Sequence, residues 1–142
     1  MTTRPLIAAL LIALTPLPVL AQAAAPVLTL NFSGIREPQG KVMVAIFDEA
    51  GWAGGAPVRV GMAEVTGTTA TLNVEGLAPG RYAVKSFHDA DGDGRMGTNP
   101  FGMPTEQFGF SNDAMGDRGP PAWADAAFEV GADGAVQSIT LR

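Results

Sequence analysis

Runs of apolar side chains along the chain predict a series of short β-strands. Residues 27–33 (VLTLNFS) alternate apolar and polar side chains, which is the period of a strand with one buried face. Residues 41–47 (KVMVAIF) are apolar throughout after the lysine, so we predict a central strand that is covered on both sides or lies at a sheet junction. No helical periodicity follows the first two dozen residues.

Later segments extend this pattern. We predict a hairpin with a turn at residues 66–68, then a strand, and then a last hairpin, over residues 58–75, 82–87 and 126–141. Turn-forming residues separate the strands about every eight to twelve positions. The fold class that this pattern predicts is all-β: a seven-stranded antiparallel Greek-key β-sandwich of the immunoglobulin or transthyretin type, with one long ordered loop.

The first residues have the features of a secretory signal peptide. Arg4 provides a positive start, and the apolar run of residues 6–20 is interrupted by Pro16 and Pro18. A membrane-spanning helix needs about 20 apolar residues, so this run predicts export rather than a membrane anchor. Small residues allow cleavage after Ala21 or Ala23. We therefore expect residues 1–23 to be removed and residues 24–142 to form a single domain in the periplasm, or secreted or on the cell surface.

Composition and charge narrow the range of functions. The chain contains no cysteine, which excludes thiol chemistry, disulfide bonds and cysteine-based zinc sites. Its formal net charge of −5 disfavours a nucleic acid or an anionic lipid as a partner. No second stretch is long and apolar enough to cross a membrane, so we expect no transmembrane segment in the mature chain.

A long loop follows the strand at residues 82–87. About 35 residues without a strand pattern separate His88 from Trp123, and compact domains seldom contain such a loop unless it is functional or disordered. Disordered segments are poor in aromatic residues, whereas this loop is not, so we predict an ordered, self-packed loop. The side chains that we expect to anchor it are His88, Phe101, Phe108, Phe110, Ser111 and Asn112.

The same loop contains an acidic motif. Asp89, Asp91 and Asp93 precede Gly94 and Arg95 in the D-x-D-x-D-G spacing that begins a calcium loop. Two interpretations stay open: a bound cation, or a series of Asp-Gly turns in which the side chains accept hydrogen bonds from their own backbone. For calcium, the predicted ligands are carboxylates and other oxygens from Asp89, Asp91, Asp93, the Arg95 backbone carbonyl, Asn99 and Glu106.

The second half of the motif departs from the EF-hand pattern. Gly97 and Pro100 occupy positions nine and twelve, where an EF-hand places ligands. With few certain carboxylates, we expect calcium affinity in the weak range of extracellular modules, roughly 10⁻⁴ to 10⁻³ M.

Three further residues, His88, Ser111 and Trp52, have side chains suited to chemistry or binding. His88 is the only histidine and Ser111 is the only serine of the loop, but one His, one Ser and several Asp arise by chance in most chains, so we predict no catalytic residue. Trp52 lies in a glycine-rich loop, where it serves either as a platform for a sugar ring or as a plug that folds back on the domain.

Several motifs in order resemble one protein family. The segments FHDADGDGR (87–95), GMPTE (102–106) and GFSN (109–112), with GPP (119–121) and AAFEV (126–130), are similar to the DUF2141 family of exported bacterial proteins of unknown function. That family often has Asn-Gly-Lys-Leu-Asp where this chain has Asp-Gly-Arg-Met-Gly97, so one acidic side chain is missing here. The resemblance implies a periplasmic or cell-surface β-sandwich and carries no activity with it.

Three functional hypotheses follow. The first is a non-enzymatic exported protein whose acidic loop binds calcium and serves as a recognition surface for a protein or a glycan. The alternative is a hydrolase acting on envelope glycans or lipids, with Asp89, Asp91, Glu106 and His88 as acid, base or metal ligands. The third is a structural accessory domain.

Overall fold

A computed structural model describes residues 25–142, which form two β-sheets packed face to face. The predicted signal peptide, residues 1–23, lies outside the described residues. Eight strands are present in the described part of the chain: β1 (Val27–Ser33), β2 (Lys41–Phe47), β3 (Arg59–Glu64), β4 (Ala70–Glu75), β5 (Gly80–Asp89), β6 (Phe108–Phe110), β7 (Phe128–Val130) and β8 (Ala135–Thr140). Two one-turn helices, α1 (Glu49–Trp52) and α2 (Trp123–Ala126), and a 3₁₀ turn (Ser111–Asp113) join them.

The strand order confirms the predicted all-β sandwich. One sheet has the order β4-β1-β8, and the other has the order β3-β2-β5-β6, with β7 pairing with the first residues of β5. The pair β1 and β8 is parallel, so the sandwich is not antiparallel throughout as predicted. Strand β2 lies between β3 and β5, which confirms the prediction of a central strand over residues 41–47.

The two predicted hairpins do not form. In each case the chain crosses from one sheet to the other, so the two strands pair with different partners. Strand β3 pairs with β2 while β4 pairs with β1, although the intervening turn keeps a bridge between Thr66 and Thr69. A Cβ at Gly61 of β3 would lie 2.9 Å from Leu72 Cδ2 of β4, so these strands face each other across the interior. Likewise β7 pairs with β5 and β8 with β1. Local alternation predicts a strand but does not determine which sheet the strand joins.

Strand β6 was not predicted, because it is only three residues long and has a glycine at its centre. It pairs with residues 85–87 of β5 and lies within the long loop. Gly109 faces the opposite sheet, where a Cβ would lie 2.8 Å from Ile139 Cγ2 and 2.9 Å from the Thr140 carbonyl oxygen. The missing side chain therefore allows the loop to approach the core closely.

The core lies between the inner faces of the two sheets. Its side chains are mostly Leu, Ile and Val and are almost fully buried, among them Leu28, Leu30, Phe32, Val42, Ile46, Val84 and Ile139. Burial of each such side chain contributes about 1.5–3 kcal/mol relative to exposure. Because side chains alternate along a strand, the outer face of the five-stranded sheet presents the intervening residues of β2, β3, β5 and β6. The long loop returns over that outer face.

Candidate functional site

A groove of about 1050 Å³ lies on the outer face of the five-stranded sheet. Strands β2, β3, β5 and β6 form its floor, and loop residues 96–104 and 115–120 contribute its walls. Four phenylalanines line it, namely Phe87, Phe101, Phe108 and Phe110. The lining is therefore dominated by apolar side chains on the side of the sheet that faces away from the core.

The methionines of the chain are concentrated in this groove. The chain has six methionines, and the five that fall within residues 25–142 all line the groove: Met43, Met62, Met96, Met103 and Met115. Three of them are more than half exposed, at 51% for Met62, 57% for Met103 and 56% for Met115. Methionine is flexible and polarisable, so a surface rich in it adapts to apolar partners of different shapes.

One wall of the groove is a small ordered hairpin, residues 96–105, which we call the loop arm. Within it, the Thr105 N–H donates to the Gly97 carbonyl oxygen at 2.8 Å, and the Asn99 N–H donates to the Met103 carbonyl oxygen at 2.9 Å. The Asn99 side-chain oxygen accepts from the N–H groups of Phe101 and Met103, at 2.9 and 3.0 Å. These bonds give the arm a defined shape without a buried core of its own.

The prediction that Phe101 anchors the loop is wrong. Its side chain is 87% exposed at the tip of the loop arm, so it does not pack the loop against the domain. The turn that Asn99 organises orients this residue away from the sheet interior and towards the groove. Phe108 and Phe110, by contrast, lie in β6, where their rings are 5.8 Å apart and Phe110 is buried.

Asp89 begins the acidic motif and is buried at the end of β5. Its Oδ1 accepts from the N–H groups of Gly92 and Asp93, at 2.8 and 3.1 Å, and its Oδ2 accepts from Gly94 at 3.0 Å. Gly92 and Gly94 have φ values of +80° and +73°, a region that favours glycine. The carboxylate thus stabilises the turn by hydrogen bonds to its own backbone, as one of the two interpretations expected.

Three of the predicted ligands come together at the base of the loop arm. Carboxylate oxygens of Asp89, Asp91 and Glu106 all lie within 4.8 Å of one another. Glu106 also accepts from the N–H groups of Ala90 and Gly97, at 3.3 and 3.0 Å, so it joins the two ends of the acidic turn. These residues form a cluster of three acidic side chains that has the composition to hold a metal ion.

The other predicted ligands serve the local turns. Asp93 lies outside the carboxylate group and accepts from the Arg95 N–H at 2.7 Å. The Asn99 side chain caps the loop arm through Phe101 and Met103. The Arg95 carbonyl as a backbone ligand stays a prediction.

His88 anchors the start of the loop. The imidazole is 3% exposed, and its Nε2 lies 2.7 Å from the Gln39 carbonyl oxygen. A carbonyl only accepts hydrogen bonds, so Nε2 carries the proton and donates. The His88 main-chain N–H also donates to the Gln107 carbonyl oxygen at 2.8 Å.

Ser111 and Asn112 anchor the other end of the loop. The fully buried Ser111 hydroxyl donates to the Ala126 carbonyl oxygen at 2.6 Å and accepts from the Val84 N–H at 2.9 Å. The Asn112 amide donates to the carbonyl oxygens of Asp125 and Ala127, both at 3.0 Å. Within residues 25–142, the hydrogen bonds of Ser111 and His88 thus go to the backbone, which is the arrangement of structural anchors rather than of a nucleophile and its base.

Two anchors were missed by the sequence reasoning. Gln107 donates to the carbonyl oxygens of Gly34 and Leu141 and accepts from the Arg36 N–H. Asp113 accepts from the Thr140 N–H at 2.6 Å and from its hydroxyl at 3.1 Å. Their partners lie 27 to 73 residues away in the chain, so no local pattern could have indicated them.

Comparison with protein families assigns this chain to one of them. The model of a family described as an uncharacterized protein conserved in bacteria, DUF2141, matches residues 30–139. The chain belongs to the DUF2141 family. No curated protein and no solved structure matches it significantly. The matched part of this DUF2141 chain includes the groove, the loop arm and the acidic cluster. It also contains the anchors from His88 to Asn112.

Trp52 folds back onto the DUF2141 domain, which decides between its two expected roles. Its indole N–H donates to the Pro121 carbonyl oxygen at 3.1 Å. Its ring contacts those of Phe47, Phe110 and Trp123, with centroids 5.9, 6.2 and 6.3 Å away. The indole is thus part of an aromatic cluster beside β5 and is not free to stack on a sugar.

Lys85 lies on the outer face of β5 between this aromatic cluster and the groove. Its Nζ is 4.6 Å from the Phe47 ring centroid and 4.5 Å from that of Trp52, which is the geometry of two cation–π contacts. Burial disfavours the charged ammonium and lowers the pKa of Lys85 from its usual 10.5. Across residues 25–142 the only salt bridge joins Lys41 to Glu64, so Lys85 has no carboxylate partner.

Among residues 25–142, no helix has the length and hydrophobicity needed to cross a membrane.

Proposed function

We propose that this DUF2141 protein is an exported, non-enzymatic binding protein that holds an apolar ligand in the groove beneath the loop arm. The observation that carries the proposal is the convergence of all five methionines other than Met1 on one groove. Export rests on the predicted signal peptide, residues 1–23. The proposal refines the expected recognition surface, because the lining favours a hydrophobic occupant over a glycan or a polar protein surface.

The size and character of the groove support binding. Ligand pockets typically measure about 300–1,000 Å³ and are mostly apolar with a few polar groups, and this groove has about 1050 Å³. Phe101 is 87% exposed and Val60 is 67% exposed, and both line it together with the exposed methionines. Exposed apolar side chains that are grouped along a groove are a common feature of ligand-binding and interaction sites.

The chemistry of the lining supports binding over turnover. Among the residues that line the groove in the described part of the chain, none is Asp, Glu or His. Ser86 is buried, and its hydroxyl donates to the Gly109 carbonyl oxygen at 2.8 Å, so it is not available to a ligand. The acidic cluster at Asp89, Asp91 and Glu106 is not part of the lining, so these carboxylates do not face a ligand held there.

Calcium at the acidic cluster belongs to the same proposal, as a brace for the loop arm. Asp89, Asp91 and Glu106 fit a hard cation because they supply oxygen ligands, and an ionised carboxylate has about four lone-pair sites. Asp89 uses three of its sites on backbone N–H groups, whereas Glu106 uses two and Asp91 uses one. Enough capacity remains for a weakly held ion, which would reduce the mutual repulsion of the three acids.

The groove is tested by titration with Nile red, a neutral apolar dye whose fluorescence rises in apolar surroundings. We expect saturable binding to the wild type, and a loss of affinity of about tenfold or more in the Phe101→Ser, Met103→Ser double variant. Val136→Ser is the matched control, because Val136 is 65% exposed and lies outside the groove. Absence of saturable binding, or an equal loss in the control, would contradict the proposal.

The ion is tested by thermal unfolding in EDTA and in millimolar calcium. A ligand at ten times its Kd stabilises a protein by about 1.4 kcal/mol, so the melting temperature should rise by several degrees. The rise should shrink in Asp91→Asn but persist in Asp133→Asn, which removes a carboxylate from the turn between β7 and β8. A shift below about half a degree in the wild type would exclude calcium at useful affinity.

A further inference from the structure

The groove differs in charge from the rest of the molecule. The chain carries 14 acidic and 9 basic residues, with a formal net charge of −5. Among residues 25–142, the charged residues that line the groove are nevertheless both basic, Lys85 and Arg118. An acidic protein thus places cations alone at its apolar groove, so charge complementarity there favours an anion.

Of the two cations, Lys85 gives the stronger indication that the groove binds an anion. It is half-buried, makes cation–π contacts with Phe47 and Trp52, and has no carboxylate partner among residues 25–142. A lysine that is partly removed from water without a counter-ion is destabilising unless another group offsets the lost hydration. The aromatic rings offset part of this loss, and an anion in the groove would offset more.

We propose that the occupant of the groove is a fatty acid, whose carboxylate pairs with Lys85 and whose alkyl chain lies along the methionines and phenylalanines. This inference rests on the function proposed above and identifies the class of ligand. Arg118 is exposed at the rim and provides a second cation for the carboxylate. A carboxylate fits better than a doubly charged phosphate, because Lys85 is the partly buried cation, whereas Arg118 is exposed and its interaction with an anion is weakened by solvent.

Displacement of bound Nile red by three amphiphiles with the same alkyl chain tests the inference. These are dodecanoate and dodecyltrimethylammonium, each used below its micelle concentration, and dodecanol, used below its solubility limit. Dodecanoate should displace the dye at a concentration roughly ten- to a hundredfold lower than dodecanol, as expected for a charge-assisted hydrogen bond in a partly buried site. Dodecyltrimethylammonium should be the weakest competitor, because Lys85 and Arg118 repel it.

Variants then assign the effect to the cations. In Lys85→Gln the affinity ratio of dodecanoate to dodecanol should fall most of the way towards one, and Lys85→Arg should restore most of it. Arg118→Gln should lower the ratio by a smaller factor, since its side chain is exposed. Arg36→Gln is the matched control, because Arg36 is also exposed but lies outside the groove, and it should keep the wild-type ratio.

The outcomes separate this inference from the function on which it rests. If Nile red binds and dodecanol competes as well as dodecanoate, the groove holds a neutral ligand and the fatty-acid inference is wrong. Stronger competition by dodecyltrimethylammonium would overturn it in the same way. If the protein is a dimer that binds the dye only after dissociation, a second copy of the chain fills the groove, and the fatty-acid inference is wrong. Absence of all dye binding would contradict the proposed function itself.

Discussion

The two faces of the five-stranded sheet are both apolar, yet only one of them is closed. On the inner face, Val42, Ile46 and Val84 are at most 1% exposed and pack against the second sheet. On the outer face, Met62 and Val60 are 51% and 67% exposed beneath the loop arm. Hydrophobic character alone therefore does not determine which face becomes the core.

The kind of apolar residue differs between the faces. The inner face uses β-branched side chains, which have few rotamers and interdigitate at the density of an organic crystal. The outer face uses methionine and phenylalanine, which provide an adaptable or a flat contact surface. The two faces also differ in charge. Lys85 lies on the outer face, whereas the hydrophobic core of the described residues contains no cation. A rigid face stabilises the fold, and a deformable face with a charge suits a ligand.

The largest effect on the free energy of unfolding is expected for substitutions on the inner face. Replacing Ile46 with alanine removes a side chain that is 1% exposed, so the free energy of unfolding should fall by about 2–5 kcal/mol. The milder Ile46→Val should lower it by about 0.5–1.5 kcal/mol. Chemical denaturation at equilibrium measures both changes. A loss below about 0.5 kcal/mol for Ile46→Ala would show that the inner face is as deformable as the outer one.

A smaller effect is expected where the loop is anchored to the sheet. Ser111→Ala leaves the Val84 N–H and the Ala126 carbonyl oxygen without their buried partner, which should lower the free energy of unfolding by about 1–3 kcal/mol. Ser138→Ala is the control, because Ser138 is exposed on β8. Equal effects of the two substitutions in the same denaturation experiment would refute the role of Ser111 as an anchor.

His88→Ala should also lower the melting temperature, by removing the hydrogen bond from its ring to the Gln39 carbonyl oxygen. Because His88 is 3% exposed, the substitution also leaves a cavity, and we expect a loss of about 2 kcal/mol or more. Differential scanning calorimetry measures the change. An unchanged melting temperature would show that the start of the loop is held by Gln107 and the backbone alone.

Sequence reasoning found the elements that depend on local chemistry. The run at residues 41–47 indicated a central strand because both of its faces are apolar, and the structure places one face in the core and the other under the groove. The spacing of Asp89 and Asp91 indicated a carboxylate cluster, which forms with Glu106. Both signals lie within short stretches of the chain.

Features that depend on distant contacts could not be predicted. The crossing from β3 to β4 follows from packing across the interior, where Gly61 meets Leu72. The five methionines of the groove are spread from Met43 to Met115, and their convergence appears only after β2, β3, the loop arm and residues 115–120 are assembled. Phe101 was expected in a packed loop because disordered segments are poor in aromatic residues, whereas Asn99 holds it at an exposed tip.

The smallest effect on stability, and the sharpest contrast between the faces, is expected for Met62→Ala. Met62 is 51% exposed, so its loss should change the free energy of unfolding by only about 0.5 kcal/mol, whereas Ile46→Ala in the neighbouring strand changes it several-fold more. The affinity for Nile red should nevertheless fall about fivefold, because the methionine loses roughly 1 kcal/mol of contact with the ligand. Denaturation and dye titration on the same variant measure the two quantities. A variant that loses 2 kcal/mol of stability while keeping full dye affinity would mean that the outer face supports the fold and does not bind a ligand.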